Sequence, residues 1–230
     1  MSVAVIIAAS GSGTRFGGVW PKQFQMMGGR PIIAHTLEVF DRVDVIDNIV
    51  VAVPEGYVDY AMDIADGFGC KKVENVLAGG ANRAVSVYEA LKQLPSCTEI
   101  VLVHDGVRPF VSDALIRAVI ESARAHGAAV AGTSLTDTLK EVDGTGKVVS
   151  TPDRSRFWQV QTPQGFTYDT IMKAYEQGER DGILGQATDD SFLVERLGVS
   201  VKMVEGHPGN IKITTPEDLL MGEAMLRQAP

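Results

Sequence analysis

Apolar residues in this chain fall in short unbroken runs, separated by stretches of helical period. Val3 to Ala8, residues 48–54 (NIVVAVP) and residues 99–105 (EIVLVHD) lack the alternation of a half-exposed strand. Such runs predict strands covered on both faces, as in a parallel sheet. Between the first two, Pro31 opens a predicted helix in its first turn, with IIAHTLEVFDRV following at helical spacing. A helix over roughly 55–67 leads to a short strand, KKVENVL, and GGANR opens a further helix, AVSVYEALKQL. After the 99–105 strand, Ser112 can cap ALIRAVIESARAHG, which ends at Gly127, and AAVAGTSL adds another strand. Strand–helix alternation of this kind predicts an α/β fold: a doubly wound, mostly parallel sheet of Rossmann type with right-handed crossovers.

The alternation breaks at residues 137–161, DTLKEVDGTGKVVSTPDRSRFWQVQ. A DGTG turn between two short alternating runs is a hairpin signal, not a crossover. We expect one domain over 1–230 with a β-arm inserted at 137–161, which covers a site, reaches a partner or decorates the surface. Helices near 168–178 and 188–196, a strand at VSVKMV and a helix from Pro216 follow.

Bulk composition narrows the function classes. The chain has 230 residues, enough for a sizeable core, and a formal net charge of −8, which argues against non-specific nucleic-acid binding. A local cluster of cations can still hold a small anionic ligand. Cys70 and Cys97 fit no metal or redox spacing and read as reduced thiols. MSVAVIIAAS lacks a basic leader and reads as a first strand, and no apolar run reaches membrane-spanning length. A cytoplasmic protein without membrane partners is the expectation.

Candidate chemistry gathers in loops after strands, where open parallel sheets bind ligands. The loop ASGSGTRFGGVWPKQF supplies bare backbone amides for an anion, with Arg15 and Lys22 adding positive charge. It is not a Walker loop, because Gly13 is followed by Gly17 and Gly18 with no Lys-Ser, and a dinucleotide fingerprint fails because Phe16 occupies the third glycine place. That spacing weakens an NAD-dependent oxidoreductase. A glycine-rich turn and a surface lysine are the plain alternatives, although Pro21 beside Lys22 restrains that residue. Gly79 and Gly80 precede Arg83 and Ser86 at a helix start, which suits a base or ribose as well as a simple helix entry. Asp105, Gly106 and Arg108 follow a strand end, fit for a metal, a sugar hydroxyl or a structural ion pair. Lys212 follows a glycine turn, and Arg154 lies in the hairpin region. His104 reads as a packed, hydrogen-bonded residue rather than a base. Met26, Met27 and Trp158 read as core or interface.

Taken together, AASGSGTRFGGVWPKQF, GGANRAVSV, VHDGVRPF, TDTLK, DRSRFWQVQTPQGF, ATDD and NIKITTPEDL occur in one order along most of the chain. This set resembles the 2-C-methyl-D-erythritol 4-phosphate cytidylyltransferase family over roughly residues 3–227. The resemblance implies a nucleotidyltransferase fold whose β-arm exchanges between the subunits of a homodimer. It implies that methylerythritol phosphate attacks the α-phosphorus of CTP, with magnesium bridging the triphosphate. By the same resemblance, Arg15 and Lys22 stabilise the transition state, and Ala8, Ala9, Gly11, Gly80 and Ser86 hold cytidine and triphosphate. Asp105 serves the ribose and metal, in one loop with Gly106 and Arg108. Thr138 and Arg154 act in the neighbouring subunit's site, Thr162 lines the substrate pocket, and Lys212 with Arg154 positions the attacking phosphate. Ser10 departs from a frequent alanine, and Ala81 from an acid in some members. Cytidylyl transfer to ribitol 5-phosphate and a non-catalytic nucleotide sensor are the alternatives.

Overall fold

The structure is a computed structural model that describes residues 2–11, 16 and 20–228. Arg15, with most of the loop around it, lies outside the described residues.

The chain runs β1 (Ser2–Ala8), a 3-10 turn (Lys22–Phe24), the short pair β2 (Met26–Met27) and β3 (Arg30–Pro31), then α1 (Ile32–Arg42), β4 (Asn48–Val53), α2 (Val58–Gly67) and β5 (Val73–Ala78). It continues through α3 (Arg83–Leu91), β6 (Thr98–Asp105), α4 (Asp113–His126), β7 (Ala128–Ser134), β8 (Glu141–Val142), β9 (Val148–Ser150) and β10 (Trp158–Thr167). The last elements are α5 (Tyr168–Arg180), α6 (Asp190–Arg196), β11 (Lys202–Glu205) and α7 (Pro216–Gln228).

One seven-stranded sheet has the order β11-β7-β10-β6-β1-β4-β5. Its pairs are parallel except at β10, which runs antiparallel to both β6 and β7. The unbroken apolar character of β1 follows from its two faces. Val3, Val5 and Ile7 join the core formed with α1, α2 and α4, whereas Ala4 and Ile6 join the core formed with α3 and α5. Among the described residues no helix is long and apolar enough to cross a membrane.

Local signals set several boundaries as expected. Ser112 accepts from the Leu115 amide, and α4 stops at Gly127 with φ of 83°, a left-handed conformation glycine adopts without strain. The DGTG turn joins β8 to β9, with Asp143 Oδ1 accepting from Thr145 N, Thr145 Oγ1 and Lys147 N. Other boundaries differ. Pro31 is the residue before α1 rather than part of its first turn. Helix α3 starts at Arg83, because the Asn82 side chain caps the Val85 amide. Met27 is buried while Met26 is largely exposed.

The largest correction is β10. Residues 158–161, assigned to the arm from sequence, are the start of an antiparallel strand in the main sheet. Pro163 and Gly165 argue locally against a strand. Here a break in register between Val160 and Gln164 admits the proline. Gly165 is required by packing: an added Cβ would lie 2.8 Å from Val119 Cγ1 and 3.0 Å from Leu102 Cδ2.

Candidate active site

The carboxyl ends of β1, β5 and β6 lie at one rim of the sheet. Between them is a cavity of about 350 Å³ lined by Ala8, Ala9, Gly11, Lys22, Gly80, Asp105 and Lys212, with Ser10, Asn82 and Arg83 beside them. Seven residues singled out from sequence, on four separate loops, thus share one hollow.

Lys22 is carried by a braced segment. The Phe24 amide donates to the Pro21 carbonyl, and Gln23 Nε2 donates to the carbonyl of Ala9, just after β1. Phe24 stacks on Tyr57 with ring centroids 5.1 Å apart. The segment carrying Lys212 is tied from the other side: Asn210 Nδ2 donates to the Thr162 carbonyl at 2.8 Å, and the Ile213 amide donates to the Val107 carbonyl at 2.9 Å. Arg108 Nη1 adds a bond to the Asn210 carbonyl at 2.9 Å.

Asp105 is the electrostatic centre. Its carboxylate meets Lys212 Nζ at 2.8 Å and the Nε atoms of Arg83 and Arg108 at 3.3 Å each. Burial alone raises this carboxyl, but Arg83, Lys212 and Arg108 outweigh it and hold the group far below the usual carboxylate range. These three cations keep Asp105 ionised at neutral pH. Arg83 in turn bonds at 2.8 Å to Asp190, which is fully buried and accepts from Tyr175 Oη at 2.6 Å. Three cations against two carboxylates leave the cluster net positive, and Lys22 adds to it across the cavity.

A second cavity of about 250 Å³ adjoins the first and shares Arg83, Asp105 and Lys212 with it, adding Arg108, Thr162 and Thr188. Lys212 thus stands at the junction of a larger pocket and a smaller one. Thr138 and Arg154 line neither; both are exposed on the arm, and Arg154 donates to the Thr136 carbonyl just before it.

Gly106 and Ser86, also singled out from sequence, are not among the residues lining the larger cavity. The Gly106 amide donates to the Ala8 carbonyl, so it has no proton left for a ligand, and its own carbonyl accepts from Thr36 Oγ1. Gly106 instead permits close packing, since an added Cβ would lie 2.8 Å from Ala9 Cβ. Ser86 is fully buried behind the cavity wall and does not face it. Sequence reasoning passed over Asp190 and Tyr175, which orient Arg83; the only signal was the acidic pair in ATDD.

His104 behaves as expected. Nε2 donates to the Arg108 carbonyl at 3.0 Å, and Nδ1 accepts from Thr162 Oγ1 at 3.1 Å, which fixes the neutral tautomer. Burial lowers its pKa from 6.5 to about 3, against the weaker raising effects of the Arg108 carbonyl and Asp105. Between those pH values the unfolded chain binds the extra proton and the folded chain does not. Stability from this residue is therefore complete above pH 6.5 and falls as pH drops towards 3, by up to about 1.4 kcal/mol per pH unit. His104→Gln should flatten the pH dependence of the urea midpoint across that window; equal slopes in both proteins would contradict a neutral buried imidazole.

The chain matches the protein family described as IspD: 2-C-methyl-D-erythritol 4-phosphate cytidylyltransferase over residues 3–228. It is 42% identical to the enzyme of that name from Alkaliphilus metalliredigens, covering 98% of this chain and 93% of the relative. Identity to the enzyme of that name from Geotalea uraniireducens is 43%, covering 99% and 97%. Among solved structures, the 4-diphosphocytidyl-2C-methyl-D-erythritol synthase of Anaerococcus prevotii superposes with a TM-score of 0.86 at 33% identity, over 98% of this chain and 96% of that one. The 2-C-methyl-D-erythritol 4-phosphate cytidylyltransferase of Thermus thermophilus gives 0.81 at 36% identity, over 99% and 100%. Matched along nearly its whole length in sequence and in fold, this chain belongs to the 2-C-methyl-D-erythritol 4-phosphate cytidylyltransferase family.

Proposed function

We propose that this chain transfers CMP from CTP to 2-C-methyl-D-erythritol 4-phosphate, releasing pyrophosphate and forming 4-diphosphocytidyl-2-C-methyl-D-erythritol. The observation that carries the reading is the convergence of Lys22 and Lys212 on one cavity at the carboxyl ends of β1, β5 and β6. A phosphate oxygen of the acceptor attacks the α-phosphorus, a new P–O bond forms, and the bond to the β-phosphate oxygen breaks. Both reactants are anions, so positioning and charge neutralisation supply most of the catalysis. Lys22, with Arg15, neutralises the phosphoryl group in transit. Lys212 faces both cavities and orients the acceptor phosphate against the nucleotide. An acceptor phosphate that is already ionised needs no general base, in keeping with a His104 that is buried, neutral and fully hydrogen-bonded.

Magnesium belongs to this reading as part of the nucleotide substrate. Among the described residues no group of three metal-ligating side chains gathers, and Asp105 is already engaged by three cations. That donor set suits an ion held chiefly by phosphate oxygens and water, with Asp105 giving one protein oxygen at most. When bound, the ion draws negative charge from the triphosphate.

The reading includes a cytoplasmic homodimer with no nucleic-acid or membrane partner. On the hairpin, Val142, Val148 and Val149 are each more than half exposed, an apolar surface suited to a second copy of the chain. The arm would carry Thr138 and Arg154 into the neighbouring site. Inactive Arg15→Ala and Arg154→Ala chains, mixed and allowed to exchange, should then regain part of the activity, and exchange without recovery would refute a shared site. The reaction itself is tested by supplying magnesium, CTP and either methylerythritol phosphate or ribitol 5-phosphate. Pyrophosphate release with the first acceptor alone is expected. Release with ribitol 5-phosphate alone would reassign the acceptor, and release with neither would favour a nucleotide sensor.

A further inference from the structure

The cavity wall contains a hydroxyl whose direction of donation is set by its neighbours. Ser10, at the exit of β1, lines the cavity, and its Oγ lies 2.7 Å from that of the buried Ser86 behind it. Ser86 Oγ also lies 3.0 Å from the Gly80 amide nitrogen and 2.8 Å from the Asn82 carbonyl oxygen. A serine hydroxyl has one proton and two lone pairs. The Gly80 amide can only donate, and the Asn82 carbonyl can only accept. A single arrangement satisfies all three contacts: Ser86 donates to Asn82 and accepts from both Gly80 and Ser10. Ser10 therefore directs its proton inward and presents only lone pairs to the cavity. Packing holds it there, since a Cβ added at Gly79 would lie 2.3 Å from Ser10 Cβ and 2.8 Å from its Oγ.

We propose that Ser10 reads the nucleobase: its outward lone pairs accept from an exocyclic amine and repel a carbonyl in the same place, and Ser86 is the positioning residue that sets this polarity. The inference rests on the reading of this cavity as the cytidine site. Cytosine carries an amine where uracil carries a carbonyl, so the polarity favours CTP over UTP. A buried polar group facing the wrong partner is left unpaired, which is how hydrogen-bonding sites discriminate strongly.

The test is a cycle between a hydroxyl and an amine. Pyrophosphate release with methylerythritol phosphate is followed for CTP, UTP and the ribonucleoside triphosphate of 2-pyrimidinone, which lacks the amine. Loss of the amine should lower kcat/KM of the unsubstituted protein by about 10-fold, and should have almost no effect in Ser10→Ala. Ser86→Ala, which frees the Ser10 proton to turn outward, should lower the CTP-to-UTP ratio although Ser10 is retained. An equal effect of amine loss with and without the Ser10 hydroxyl overturns the proposal and leaves cytidylyl transfer standing. So does a uniform fall with all three nucleotides, the mark of a merely structural role. No release from CTP by the unsubstituted protein overturns the functional reading itself, and this proposal with it.

Discussion

Replacing Lys212 with alanine should lower kcat by about 100- to 1,000-fold while leaving the protein folded. Lys212 lines both adjoining cavities, and its ammonium lies 2.8 Å from Asp105. In the proposed reaction it faces the two phosphoryl groups as they approach. Its removal therefore acts on charge that concentrates in the transition state, which is where a fixed cation matters most. Stability should change little, because Asp105 keeps both Arg83 and Arg108 and the Lys212 side chain is 36% exposed. Steady-state kinetics together with thermal denaturation separate the two effects. A kcat within a few-fold of the unsubstituted enzyme would remove Lys212 from the mechanism.

Asp190→Ala should instead strike the fold, with a loss of about 3–5 kcal/mol. Asp190 is completely buried, bonded to Arg83 at 2.8 Å and to Tyr175 Oη at 2.6 Å. Its removal strands a buried hydroxyl and, among the described residues, leaves Arg83 with Asp105 as its one remaining ion-pair partner. For a chain of 230 residues the melting temperature should fall by roughly 10 °C. Asp190→Asn keeps an acceptor for Tyr175 but no charge for Arg83, so it should lie between the two. Unchanged urea midpoints in both variants would show that the pair is dispensable.

Much of the fold was legible because its signals are local. The apolar runs, the Ser112 cap and the DGTG turn each report on neighbours within a few residues, and each formed the expected element. Strand β10 was missed because its reasons are distant: Gly165 answers to α4, and buried Gln164 bonds to Asp189 and to the amides of Asp190 and Ser191. The same division runs through the site. Loops at strand ends can be named from topology, so Lys22, Gly80, Asp105 and Lys212 were found together. Which groups already have partners cannot be read that way. Arg83 meets Asp190 across 107 positions, and the enclosure of Ser86 behind Ser10 depends on two loops meeting.

The central claim is that the cations at this rim converge on the phosphates of one nucleotide. The most direct measurement is a crystal structure of the protein with CTP and magnesium. The account predicts the α-phosphate between the ammonium groups of Lys22 and Lys212, with the base against Ser10 and Gly80. A triphosphate bound elsewhere, or either lysine turned away from it, would contradict the account.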